Sequence, residues 1–263
     1  MTTSKPRDPV PGGTPLPAED PPTSGYPLHR WGFGAFLVVE AVLLASAAFI
    51  SVLVGDTAPG QPLPMRVVLL GTILPTMIAA GVAVLFTVVR GNGPVLDLRL
   101  QWRWADVRTG FKLGCIGLVF TSAAAYLWTQ VVGDANATSA ISALVENRRM
   151  AVSAALVMFV YLWLVGPICE EIIYRGLLWG AVERLQWASE RWGRIAALGV
   201  STAVFAASHL EPLRTTLLLV IAVPIGLARF FTGRLPGSIV AHQVNNFLPA
   251  LTILLSALGL TWF

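Results

Sequence analysis

The chain has 263 residues, 55% of them hydrophobic and 12% charged, against about 25% charged in an ordinary soluble domain. That balance argues against a water-soluble globular fold. The net charge of +4 does not point to nucleic acid, because the basic residues fall between apolar runs, where they orient a chain in a bilayer.

Residues 1–28, MTTSKPRDPVPGGTPLPAEDPPTSGYPL, are rich in proline, glycine and small polar residues. A disordered tail is expected there. It does not read as a cleavable signal peptide, since the apolar run starts too late and no small-residue cleavage site follows it. Seven apolar segments come next, at about 31–54, 67–89, 109–132, 150–180, 195–210, 213–231 and 235–263. Val67–Val89, Leu113–Val132 and Met150–Cys169 contain no Asp, Glu, Lys or Arg. Each is long enough to cross a hydrocarbon core about 30 Å thick. The first segment is broken only by Glu40, and the last contains Pro249 and reads as one kinked helix or two shorter passes. The expected fold is therefore an all-α, polytopic transmembrane helical bundle of 7–8 helices. The expected organisation is a tail over 1–28, N-terminal transmembrane helices over 29–149 and a second helical unit, the core, over 150–263.

Basic residues precede the first span (Lys5, Arg7, Arg30) and follow the second (Arg90, Arg99, Arg103, Arg108, Lys112), the fourth (Arg184, Arg191, Arg194) and the sixth (Arg229, Arg234). Placing all four groups in the cytoplasm satisfies the positive-inside tendency and puts the N-terminus inside. Arg148 and Arg149 then face the other side. The stretches LRLQWRWADVRTG and AVERLQWASERWGRI mix Trp and Leu with Arg, and read either as interfacial helices or as ordinary loops. Cys115 and Cys169 both lie in apolar runs and read as small hydrophobes rather than a disulfide or metal pair.

Ionisable groups inside spanning segments are costly and usually face a bundle interior or a cavity. Here they fall into three clusters. The first is Glu170, Glu171, Tyr174 and Arg175. Glu171 and Arg175 are four apart on a helix and can pair along one face, while Glu170 points about 100° away. The second is FAASH, with Phe205 and His209 on one face. The third is HQVNN, with His242 and Asn246 on one face. Two of the three histidines thus sit in apolar segments.

A carboxylate taken out of water is suited to act as a general base. A histidine can share its water or bind a metal, and an amide can donate to an oxyanion. Together these groups suit water activation against an amide bond. They equally permit a zinc or other divalent metal held by Glu170, His209 and His242, although HExxH is absent. Each cluster also has a plain structural reading. Glu171–Arg175 alone reads as an ion pair, a lone histidine as a packing residue, Asn246 as an interhelical hydrogen bond, and Glu40 as a local polar partner. It is their joint occurrence in the second half of the chain that favours chemistry. A proton-coupled transporter would call for internal repeats, and the sequence has none that we can find.

EEIIYR, FAASH and HQVNN, in that order, resemble the CPBP family of type II CAAX prenyl endopeptidases and bacteriocin-processing or abortive-infection proteins, whose pattern is EExxxR, FxxxH and HxxxN. GPICEEIIYRGLL and RFFTGRLPGSIVAHQVNN extend the likeness, which covers about 150–250. The resemblance implies an intramembrane endopeptidase of about eight helices, with a peptide or protein substrate and the lipid bilayer as its partners. By position, Glu170 would activate water with help from His209, His242 and Asn246 would stabilise the oxyanion, and Glu171 and Arg175 would organise the site, with Tyr174 and Phe205 in structural roles. Both metal-dependent and metal-free mechanisms are compatible with it. The alternative is a non-catalytic membrane immunity or scaffold protein that keeps the motifs for packing. One tension remains. Glu170 falls toward the cytoplasmic end of its segment and His209 at the far end of another, so they meet only if the 195–210 helix is short or tilted, or begins earlier, near Glu190.

Overall fold

The computed structural model describes residues 30–54, 63–145 and 148–260; the tail expected over 1–28 lies outside them. Long helices form at all seven apolar segments. They are α1 (Phe33–Val54), α2 (Met65–Arg90), α3 (Trp104–Val132), α4 (Val152–Glu183), α5 (Glu190–Ser208), α6 (Thr215–Thr232) and α7 (Leu235–Ala257). No strand occurs among the described residues. All but α5 are long and apolar enough to cross a membrane, giving six candidate spans. α5 opens on Glu190, Arg191 and Arg194, which lowers its apolarity. The chain is an integral membrane protein built as a polytopic helical bundle. The last segment is one helix with Pro249 inside it, rather than two passes.

The helices alternate in direction. At one end of the bundle Arg30 N–H donates to Arg90 O at 2.8 Å, Leu235 N–H to Arg99 O at 3.0 Å, and Arg234 Nη2 to Asp106 Oδ1 at 3.0 Å. At the other end Met150 N–H donates to Ala257 O at 2.9 Å, Trp128 Nε1 to Leu213 O at 2.8 Å, and Arg148 Nη2 to Leu63 O at 2.7 Å. Arg148 is thus tied to backbone beside α2 rather than left free at the bundle end.

Small residues let the helices approach without a hydrophobic force to drive them together in lipid. On α3, Gly110 and Gly114 share a face against α7. A Cβ on Gly110 would stand 2.2 Å from Gly237 O, so only glycine allows that crossing. α6 ends at Gly233, whose φ of +66° lets its N–H close on Arg229 O at 2.9 Å. Pro236 then sits in the first turn of α7, where its missing N–H costs nothing.

The two amphipathic stretches form no separate interfacial helix. The first is the approach to α3, with Trp102 and Trp104 exposed and edge-on at 5.8 Å. The second joins α4 to α5, where Trp187 Nε1 donates to Val182 O at 2.8 Å and Ser189 Oγ caps α5 by accepting from Trp192 N–H at 3.4 Å. Cys115 and Cys169 are both free thiols.

Candidate active site

The site is built on α4, which departs twice from α geometry, widening to π-type hydrogen bonding over Tyr161–Val165 and Ile172–Leu178. Pro167 accounts for the first widening. It has no N–H to give, and its ring crowds the carbonyl four residues back, at Trp163. Such widenings recur at functional sites. Between the two lies Gly166–Glu171, and here the adjacent glutamates part. The Glu171 side chain is fully buried, while that of Glu170 is 26% exposed.

Glu171 Oε1 accepts from Arg175 Nη1 at 2.9 Å, both side chains being 0% exposed. Arg175 also donates from Nη2 to Ala222 O at 3.4 Å, and its Cζ lies 4.5 Å from the Phe205 ring centre. The same Glu171 oxygen lies 3.0 Å from His242 Nδ1. A carboxylate that already accepts from arginine assigns the donor role to Nδ1. That fixes the ring so that Nε2 faces Glu170 Oε2 at 3.6 Å, longer than a direct hydrogen bond. One histidine on α7 is thus held by one glutamate and turned toward the other.

Phe205 on α5 is the common wall. Its ring centre lies 5.7 Å from that of His242, 5.4 Å from Tyr174 and 4.7 Å from His209. Tyr174 O–H donates to Ser208 Oγ at 2.7 Å, locking α4 to the end of α5. Glu40 lies beside the Tyr174 hydroxyl, the local polar partner expected of it. These contacts place residues 205–209 level with Tyr174 and His242. The tension over depth is relieved as expected of an earlier start: α5 begins at Glu190, five residues before the apolar segment, and its last turn packs on Tyr174.

A cavity of about 370 Å³ is lined by Glu170, His209, His242 and Asn246, together with Thr76 and Tyr161. His209 is exposed, with Nδ1 2.8 Å from Phe205 O. Asn246 Nδ2 donates to Leu162 O at 3.3 Å, a carbonyl in the first widened stretch of α4. That uses one amide hydrogen and leaves the other free for the cavity. Asn245 and Thr121 also line this cavity, and Asn245 accepts from Thr121 Oγ1 at 3.0 Å. Glu170 and His209 also line a second cavity of about 260 Å³, whose walls include Leu43, Leu44 and Pro75.

The structure therefore gathers Glu170, His209, His242 and Asn246 around one space, and puts Glu171 and Arg175 in the buried support behind it. Among the described residues no group of three or more His, Cys, Asp or Glu is placed to hold a metal ion. Glu170 and His242 are adjacent, but His209 does not complete a three-donor set with them.

Arg229 corrects the sequence reading. Instead of lying in solvent as an orienting charge, it is 2% exposed, and its Nε donates to Arg175 O at 3.1 Å. It sits in the last turn of α6, facing inward. Ser208 and Tyr161 were also missed. The only sequence signal for them is position: Ser208 lies within FAASH, and Tyr161 in the run before the glutamates.

Residues 152–248 match the family model described as type II CAAX prenyl endopeptidase Rce1-like. That stretch is a little over a third of the chain and holds all three clusters. The match supports CPBP family membership and an endopeptidase role. No curated protein and no solved structure matches the chain.

Proposed function

We propose that the chain is an intramembrane endopeptidase that hydrolyses a peptide bond of a membrane-associated or CAAX-like substrate, with Glu170 activating the water. The observation that carries this reading is the position of Glu170. Its carboxylate stands on the cavity wall, 3.6 Å from the Nε2 of a histidine that Glu171 holds in place.

The substrate carbonyl enters the cavity beside Glu170. Glu170 takes a proton from water, and the oxygen bonds to the carbonyl carbon. The oxyanion forms in the pocket lined by His242 and Asn246, where the second amide hydrogen of Asn246 reaches it. His209, on the same wall, helps hold the water. Glu170 then gives its proton to the amide nitrogen, the C–N bond breaks, and acid and amine products leave. The carboxylate is regenerated. Glu171 and Arg175 touch no reacting atom. They are positioning residues that fix His242 and the α4 helix.

The test is cleavage of a quenched, membrane-anchored peptide library by the full chain in liposomes, with products identified by mass spectrometry. Two fragments from one scissile bond are expected. Failure of well-folded protein to cut any member contradicts the proposal and favours the scaffold reading. Loss of cleavage on adding chelator would move the water onto a metal.

A further inference from the structure

We propose that the polar cavity where α4 and α6 end and α5 begins binds a phosphate group, as part of a lipid headgroup or as a free anion. The cavity has a volume of about 340 Å³ and lies at the bundle end away from His209. Its walls carry Arg99, Arg184, Arg194 and Arg229, and also the carboxylates Asp97, Glu183 and Glu190.

Two of those carboxylates are engaged. Asp97 accepts from Trp31 Nε1 at 2.7 Å and from Asn92 N–H at 3.1 Å, and Glu183 pairs with Arg99 at 3.0 Å. The third, Glu190, is exposed in the first turn of α5. Arg184, which also feels the charges of Asp97 and Glu183, and Arg194 both rest on aromatic rings. Arg184 lies 3.7 Å from the Trp31 ring centre and Arg194 4.9 Å from that of Phe230. Arg229 is the decisive residue. It is 2% exposed, its Nε donates to a backbone carbonyl, and its buried Nη1 has no hydrogen-bond partner among the described residues. A buried charged donor left unmatched is costly.

Four guanidiniums therefore face three carboxylates, a surplus of one positive charge, and the guanidinium fork matches phosphate oxygens in shape and charge. A helix-end cavity of a membrane protein lies where lipid headgroups are, and is also open to soluble anions.

The experiment uses the purified full chain in non-ionic detergent. Native mass spectrometry compares phosphatidylglycerol with diacylglycerol, which has the same tails and no phosphate. Titration calorimetry with inorganic phosphate forms the second arm. Each arm is repeated with Arg184→Gln/Arg194→Gln, and with Arg194→Gln alone in case the double variant melts early. Retention of one phosphatidylglycerol but no diacylglycerol assigns a headgroup site, and saturable binding of phosphate alone assigns a soluble anion. In either case the variants are expected to weaken binding by about tenfold or more, the loss of at least one charge-assisted contact. Binding in neither arm, or equal binding by the folded variants, overturns the proposal.

Discussion

His242 Nδ1 lies 3.0 Å from the Glu171 carboxylate, so a side chain on α7 is aimed by one on α4. The same oxygen holds Arg175 at 2.9 Å. Removing Glu171 therefore frees two groups at once.

Glu171→Ala leaves Arg175 buried without its counter-charge. Breaking a buried pair from one side costs about 3–5 kcal/mol. Thermal unfolding in detergent should show a large fall in midpoint. Glu171→Gln keeps shape and an acceptor, and should fall less. Both should lower cleavage, because His242 loses its fixed orientation.

Asn246→Ala should behave in the opposite sense. Its hydrogen bond to Leu162 O, at 3.3 Å, contributes about 1 kcal/mol, so melting should hardly change. Loss of an oxyanion donor typically lowers kcat by about 10²–10³. Steady-state kinetics should place the effect in kcat rather than KM.

Gly110→Ala tests the crossing of α3 and α7. The added methyl would meet Gly237 O at 2.2 Å, so the helices must move apart, at about 1–3 kcal/mol. Gly81→Ala is the control, since nothing lies within 4 Å of its added Cβ. A lowered unfolding midpoint for the first and none for the second is expected.

The helices were legible from their long apolar runs, although the run at 195–210 is too short to cross a core about 30 Å thick. The Glu171–Arg175 pair was legible because four residues make one helical step. His242–Glu171 was not, since it spans 71 residues and depends on how α4 and α7 cross. Arg229 misled because an arginine near a helix end fits the positive-inside pattern whether it faces solvent or the core. The start of α5 was open in the sequence because Glu190 and Arg191 look like loop in an apolarity window, and the earlier of the two starts is the one observed, with Ser189 as cap.

The most direct test is Glu170→Gln, which keeps size and hydrogen bonding but removes the base. Cleavage of the best library peptide by full chain in liposomes should fall by about 10²-fold or more, the usual worth of a general base, with the unfolding midpoint unchanged. Cleavage at the wild-type rate by the folded variant would contradict the role given to Glu170.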